Sequence, residues 1–368
     1  MPEPKNTILV VDDTPANLQL LESILQEQGY AVRAAISGRL ALKAAQAQAP
    51  DLILLDINMP DMSGFDVCRI LKTDPNLAGI PVIFISAAVD TADKLRAFEE
   101  GGVDYITKPF QHQEVLARVV AHLELKRYRD YLEEMVQERT RDVQLTQDAV
   151  IYGLGILAEY RDPETGLHLK RTQRYVKILA THLQHHPRFQ GCFDDTTIRL
   201  LYLSAPLHDI GKVGVPDTIL LKPGPLTADE FDQMKRHTTY GREVIDRIAA
   251  GMNNDSAASF LSLAGDCAAS HHEYWNGKGY SGLAGDAIPV AGRLMALADV
   301  YDALTSRRAY KPAFTHERAF TILTSGDGRT VPEQFDPAVL QAFVELRDTF
   351  KLIAFTLRDE DTPPATGF

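Results

Sequence analysis

The first third of the chain alternates short apolar runs with amphipathic segments, and this alternation restricts the fold more than any other feature. The runs occupy residues 8–11, 52–55 and 82–85. Runs that are apolar at every position are typical of parallel strands covered by helices on both faces. Leu18, Leu21 and Leu25 have helical spacing between two of them. We therefore predict a doubly wound α/β domain, which binds ligands at the carboxyl ends of its strands.

Polar side chains follow the predicted strands. They are Asp12, Asp13, Asp56, Ser86 and Lys108. One such residue alone would be interpreted as a turn or helix-capping residue. Five of them at strand ends indicate a shared pocket instead. A carboxylate nucleophile, further carboxylates for Mg2+ and a lysine cation suit phosphoryl transfer.

Residues 6–124 resemble the receiver domain of bacterial two-component response regulators. The resemblance implies that Asp56 accepts a phosphoryl group from a sensor histidine kinase. The implied Mg2+ ligands are Asp12, Asp13 and Asp56, and the implied switch residues are Ser86, Tyr105 and Lys108.

A charged stretch over 116–150 contains neither glycine nor proline, which predicts a long helix joining two domains. Its seam, at steps of three or four residues, consists of Leu125, Tyr128, Leu132, Val136, Arg139, Val143, Thr146 and Val150. Such spacing is typical of a parallel coiled coil, which predicts a homodimer. A solvated single helix is the alternative, and Arg139 and Thr146 in the seam favour it.

Pairs of potential metal ligands mark the second half. His208-Asp209 and His271-His272-Glu273 are tandems, and Asp299 follows downstream. Imidazole nitrogens and carboxylate oxygens bind divalent transition metals. A lone histidine rarely does, but two tandems in apolar surroundings predict a metal centre, since such groups are costly to bury alone.

Residues 149–345 resemble the HD-GYP family of metal-dependent phosphohydrolases. The matching motifs are Leu207-His-Asp-Ile-Gly-Lys212, Met234-Lys-Arg-His-Thr-Thr-Tyr-Gly241, His271-His-Glu-Tyr-Trp-Asn-Gly-Lys-Gly-Tyr280 and Ala298-Asp-Val-Tyr-Asp302. The resemblance implies an all-α domain that hydrolyses cyclic di-GMP to pGpG, with onward cleavage of pGpG to GMP left open. Two divalent transition-metal ions are expected, of Fe, Mn, Ni, Zn or Co, with a third left open.

The resemblance assigns roles to individual residues. The implied metal ligands are His168, His208, Asp209, His237, His271, His272 and Asp299, with Glu164 and His168 at the third ion. Asp209 and Lys212 are the implied catalytic residues, and Arg308, Lys311 and Tyr280 the substrate contacts.

Ser281 departs from the family pattern, because Gly-Tyr-Pro reads Gly279-Tyr280-Ser281 here. Loss of the proline predicts a looser loop, since proline fixes φ. Two alternatives stay open: a phosphodiesterase that prefers linear pGpG, and a non-catalytic receptor for cyclic di-GMP.

Composition narrows the remaining possibilities. A chain of 368 residues is long enough for several cores, and we predict domains at 1–124 and 149–350, a linker at 125–148 and a tail at 351–368. A net charge of -12 argues against binding DNA or an anionic membrane. The three cysteines have no pair spacing, and no apolar stretch is membrane-spanning, so a cytoplasmic protein is expected.

Overall fold

The structure, a computed structural model, describes residues 5–87, 91–160, 166–251, 255–307 and 313–358. It divides into two compact units, Met1–Arg141 and Asp142–Phe368. Within the described ranges, no helix has both the length and the apolar character that crossing a membrane requires.

A parallel five-stranded sheet forms the centre of the first unit, in the order β2-β1-β3-β4-β5. The strands are β1 Lys5–Val11, β2 Tyr30–Ala35, β3 Leu52–Asp56, β4 Val82–Ser86 and β5 Asp104–Thr107. The helices between them are α1 Pro15–Gln26, α2 Gly38–Ala47, α3 Gly64–Thr73 and α4 Thr91–Glu99. This confirms the doubly wound fold that the alternating pattern predicts.

The continuous apolar runs are central strands, as expected. Leu9 and Val11 of β1 pack into the core on one face of the sheet, and Ile8 and Val10 pack on the other. Strand β2 was not predicted from the sequence, because it lies at an edge and most of its side chains are partly exposed. An edge strand does not need an unbroken apolar run.

Helix α5, His112–Glu159, begins in the first unit and ends in the second, and it continues without a break for 48 residues. The linker predicted at 125–148 lies inside it. Apolar side chains of the predicted seam are largely exposed along this helix, for example Leu125 at 62% and Val136 at 63%.

The second unit is built from helices, and the part of it that the structure describes contains no strand. The α-helices are α6 Gly166–Leu183, α7 Asp195–Ser204, α8 Asp217–Leu220, α9 Ala228–Ala249, α10 Asp255–Ser270, α11 Val290–Thr305, α12 His316–Ser325, α13 Pro337–Glu345 and α14 Arg347–Thr356. Short 3-10 helices cover Pro187–Phe189, Ala205–Leu207, Ile210–Gly214, Gly285–Ala287 and Pro332–Gln334. Aliphatic and aromatic residues form the core, where the rings of Tyr175 and Phe350 stack at 4.6 Å. The all-α prediction for this half is confirmed.

Candidate metal centre and phospho-acceptor site

Five segments of the second unit bring the predicted metal ligands together. Helix α6 carries His168, the junction of two 3-10 helices carries His208 and Asp209, α9 carries His237, the residues after α10 are His271 and His272, and α11 carries Asp299. All but His272 and Asp299 are buried.

The turn after Asp209 approaches helix α9 very closely, and this requires a glycine. A Cβ on Gly211 would lie 1.9 Å from the carbonyl oxygen of His237 and 2.4 Å from the backbone nitrogen of Gly241. No larger residue fits between these backbones without moving them. Gly211 therefore sets the spacing between Asp209 and His237.

Asp209 lies at the centre of the first ligand group. Its Oδ1 is 3.3 Å from His237 Nε2 and 3.5 Å from His271 Nε2. With His272, these residues place one potential ligand atom each within 4.8 Å of one another. The four side chains thus form one compact set of nitrogen and oxygen donors.

A second ligand group adjoins the first and contains Glu159, which no sequence motif had indicated. Glu159, His168 and His208 place one potential ligand atom each within 4.8 Å of one another. His208 Nε2 is 3.3 Å from Asp209 Oδ2, and Asp299 Oδ1 is 3.9 Å from His168 Nε2. The two groups are therefore continuous through Asp209.

Backbone carbonyl groups orient three of the imidazoles. The Nδ1 atoms of His208, His237 and His271 lie 2.9 Å from Ala205 O, 2.7 Å from Met234 O and 3.1 Å from Cys267 O. A carbonyl oxygen only accepts hydrogen bonds, so Nδ1 carries the proton in each ring. The lone pair is then on Nε2, which points into the cluster, as a metal ligand requires.

Burial and charge set the protonation of these groups. Burial would raise the pKa of Asp209, but the charges of Lys212 and His208 hold it well below its ordinary value. Burial lowers the pKa of His237 to about 4 and that of His272 well below its usual range. For His208, burial lowers the pKa, but the Asp209 carboxylate outweighs it and leaves the pKa raised. The site thus combines an ionised Asp209 carboxylate with neutral His237 and His272 imidazoles, whereas the carboxylate favours the charged form of His208.

Two buried polar atoms indicate that the cluster suits a metal ion. His208 Nε2 and Asp209 Oδ1 have no hydrogen-bond partner among the residues that the structure describes. Leaving such groups unsatisfied in the interior costs about 1–3 kcal/mol each. Imidazole nitrogen and carboxylate oxygen are donors that divalent transition metals accept, so the residues present fit such ions.

Asp302 orients His168 through the Nδ1 atom of its ring. Its Oδ2 is 2.8 Å from His168 Nδ1, and Arg171 donates to both carboxylate oxygens at 2.6 and 2.9 Å. Burial would raise the pKa of Asp302, but His168 and Arg171 hold it at about 2. No role had been predicted for Asp302, although it lies three residues after Asp299 in the motif Ala298-Asp-Val-Tyr-Asp302.

Lys212 and Tyr280 both reach the cluster. Lys212 Nζ forms an ion pair with Asp209 Oδ2 at 2.7 Å. The Tyr280 ring lies 4.6 Å from the ring of His272. Burial raises the pKa of Tyr280 to about 12, so its hydroxyl is a hydrogen-bond donor at neutral pH.

Three predicted residues lie outside the described parts of the chain: Glu164, Arg308 and Lys311. Their assignments as a ligand of a third ion and as substrate contacts stay predictions.

The first unit gathers its predicted residues at the carboxyl ends of β1, β3 and β5. Lys108 Nζ lies 2.8 Å from Asp12 Oδ2 and 3.0 Å from Asp56 Oδ2. Asp12, Asp13 and Asp56 place one oxygen each within 4.8 Å of one another. These three acids therefore offer the oxygen donors that Mg2+ prefers.

Electrostatics at this edge favour a charged lysine beside the acceptor. Burial raises the pKa of Asp56, although the hydrogen bond from Lys108 opposes this. Burial lowers the pKa of Lys108, but hydrogen bonds to Asp12 and Asp56 outweigh it and leave the pKa raised. Ser86 is buried at the end of β4, and Tyr105 is half-buried on β5 with its ring 6.3 Å from Phe98.

Comparison with known proteins agrees with both units. The response regulator receiver domain family matches residues 8–120, and the HD domain family matches residues 168–339. A probable cyclic di-GMP phosphodiesterase of Vibrio cholerae is 44% identical over 97% of this chain and 81% of that protein. The cyclic di-GMP phosphodiesterase response regulator RpfG of Xanthomonas campestris is 33% identical over 92% and 87%. A cyclic di-GMP phosphodiesterase of Thermotoga maritima is 32% identical over 97% and 94%.

These relatives are matched along both units, and most of their own length is covered. The chain therefore belongs to the family of cyclic di-GMP phosphodiesterase response regulators, in which a receiver domain precedes an HD domain.

Proposed function

We propose that the protein hydrolyses cyclic di-GMP to pGpG, and pGpG onward to GMP, at a metal centre in its HD domain. The observation that carries the proposal is the buried cluster around Asp209, with ring nitrogens of His208, His237 and His271 within 3.5 Å of its oxygens. Relatives that share both domains are named cyclic di-GMP phosphodiesterases.

The cluster supplies more donors than one ion uses. The proposed ligands are Glu159, His168, His208, Asp209, His237, His271, His272 and Asp299. A tetrahedral ion takes four ligands, so this number suits two ions of Fe, Mn, Ni, Zn or Co. When bound, such ions activate water and offset negative charge at a phosphodiester. A third ion at Glu164 remains a prediction.

The chain's own residues have separate roles in this proposal. Asp209 contacts His208 of one ligand group with Oδ2 and His237 of the other with Oδ1, so it would help to hold both ions. Lys212, 2.7 Å from Asp209, donates a proton to the leaving 3′-oxygen or holds the phosphate by its charge. The Tyr280 hydroxyl and ring offer a hydrogen-bond donor and a stacking surface to a guanine.

We also propose that a sensor histidine kinase phosphorylates Asp56, with Mg2+ held by Asp12, Asp13 and Asp56. Lys108, within 3.0 Å of both buried acids, supplies the positive charge that the phosphoryl group would contact. Phosphorylation adds negative charge and acceptor oxygens at this edge. Ser86 at the end of β4 and Tyr105 on β5 are the proposed switch residues.

The exposed seam of α5 is proposed to pair with the same helix of a second copy. Leu125, Leu132 and Val136 are each more than half exposed, and their spacing is that of a coiled coil. Leu132→Glu should give monomers in sedimentation equilibrium. Glu133→Gln, an exposed change beside the seam, is the control. Monomeric wild type would disprove the pairing.

Product chromatography with metal analysis tests the catalytic proposal. Metal-loaded protein should convert cyclic di-GMP to pGpG and then GMP, and His237→Gln should lose metal and activity together. His182→Gln is the matched control, since His182 is a partly exposed histidine paired with Glu345. Turnover of pGpG alone would favour the linear-substrate alternative. Tight binding of cyclic di-GMP without turnover would favour a receptor.

A further inference from the structure

One buried carboxylate fixes the loop that follows the histidine tandem. Glu273 is 2% exposed. Its Oε1 accepts the backbone N–H of Ser281 at 2.7 Å, and its Oε2 accepts those of Gly282 and Leu283 at 3.1 Å each. A carboxylate that accepts several N–H groups forms strong, charge-assisted hydrogen bonds. The three successive amides of the loop therefore point to a single anchor.

Two glycines allow the loop to fold around this anchor. A Cβ on Gly279 would lie 2.5 Å from Cα and 2.8 Å from Oε2 of Glu273, so no side chain fits there. Gly282 has a φ of 82°, in the left-handed region that favours glycine. The backbone on both sides of Tyr280 is thus shaped to reach Glu273.

The other end of the loop is held through Trp275. Two guanidinium groups lie close to its ring, that of Arg188 at 4.6 Å and that of Arg293 at 5.3 Å from the ring centre. Its backbone N–H donates to Gln334 O at 2.8 Å. These contacts fix the chain ahead of Gly279. The Glu273 anchor then fixes residues 281–283, on the other side of Tyr280.

Serine at position 281 changes how many amides the anchor can accept. The proline of the family pattern has no N–H and could not donate to Glu273. The absence of proline predicts a looser loop, but Ser281 donates the shortest of the three hydrogen bonds. Its side chain is exposed, so its backbone makes the contact that distinguishes it from proline.

We propose that the Ser281 N–H and the Glu273 carboxylate are positioning groups that hold Tyr280 against the metal centre. Tyr280 is adjacent to the anchored amides, and its ring contacts His272 at 4.6 Å and Phe231 at 5.9 Å. Ser281 thus replaces the φ restraint of proline with a hydrogen bond. The consequence for substrate binding rests on the proposed function.

Proline and alanine at this position separate the backbone from the side chain. In the full-length, metal-loaded protein, Ser281→Ala keeps the N–H and should match wild type. Ser281→Pro should raise KM for cyclic di-GMP about ten-fold, as loss of one charge-assisted hydrogen bond does, with kcat changed less than about two-fold. Metal content should be equal in all three proteins. Equal KM for Ser281→Pro and Ser281→Ala would overturn the proposal, as would a lower KM for Ser281→Pro.

Hydrogen exchange tests the anchor without any substrate. The amides of Gly282 and Leu283 should exchange slowly in wild type and Ser281→Ala, and several-fold faster in Ser281→Pro. Unchanged exchange in Ser281→Pro would disprove the anchoring role of the Ser281 N–H. If wild type protects these amides but does not turn over cyclic di-GMP, the proposed function fails while the anchor stands.

Discussion

Replacing Arg171 should destabilise the HD domain strongly, because it leaves a buried carboxylate without its main partner. Arg171 and Asp302 are 3% and 1% exposed. Arg171 donates twice to Asp302, once to Leu357 O at 2.9 Å and once to Ser306 Oγ at 2.7 Å. Removing one partner of a buried ion pair costs about 3–5 kcal/mol. We therefore expect Arg171→Met to lower the free energy of unfolding by about 4 kcal/mol.

The chain's single tryptophan makes this measurable for one domain. Trp275 lies in the second unit, so its fluorescence reports the unfolding of that unit alone. With a denaturant slope of about 2 kcal/mol per M of urea, a loss of about 4 kcal/mol lowers the midpoint by about 2 M. Arg171→Lys keeps the positive charge without the paired donors, so its urea midpoint should lie between those of wild type and Arg171→Met.

The same pair predicts how the effect depends on pH. The folded-state pKa of Asp302, about 2, is depressed below its unfolded value of about 3.9. The stabilisation from its ionised form is thus fully present above the unfolded pKa and is lost as pH falls through the folded pKa. The difference between wild type and Arg171→Met should be large at pH 7 and should shrink from about pH 4 towards pH 2.

A neighbouring arginine supplies the control. Arg174 lies on the same helix and is exposed, so Arg174→Met should change stability by less than about 0.5 kcal/mol. Equal midpoints for Arg171→Met and Arg174→Met would refute the claim that the buried pair stabilises this domain.

Three further predictions follow from the two sites. Asp56→Asn should abolish labelling by a small phosphoryl donor with Mg2+, whereas Asp74→Asn, at the end of α3, should still be labelled. Glu159→Gln should lower the metal content of the purified protein by about one ion, measured by mass spectrometry, if its carboxylate is a ligand. Gly211→Ala should cost more than about 3 kcal/mol in urea unfolding, since its Cβ would overlap His237 O, whereas Gly153→Ala, with open space around it, should not destabilise.

The sequence predicted most of the receiver fold because central parallel strands must be apolar on both faces. Residues 52–55 and 82–85 read directly as β3 and β4, which are buried at every position. The edge strand β2 gave no such signal, since Tyr30–Ala35 has only one fully buried side chain. The phospho-acceptor site at the strand ends could also be predicted, because parallel strands place their carboxyl ends at one edge of the sheet.

The clustering of candidate ligands in the HD domain was predictable, but their orientation was not. The His-Asp and His-His tandems are visible in the sequence. The proton on each Nδ1 depends on carbonyl oxygens of Ala205, Met234 and Cys267, three or four residues earlier in each local turn. The conformation of those turns depends on packing, such as the close approach of Gly211 to helix α9. Residue types alone do not specify that geometry.

Glu159 is a candidate ligand that the spacing of residues in the sequence could not predict. The resemblance assigned Glu164 and His168 to a third ion, and their separation of four residues places two side chains on one face only within a continuous helix. In the structure α5 ends at Glu159 and α6 begins at Gly166. The Glu159 carboxylate nevertheless lies 3.6 Å from His168 Nε2, because the end of one helix and the start of the next meet at the cluster. A ligand contributed across such a break has no fixed spacing in sequence, so only the packing of the two helices reveals it.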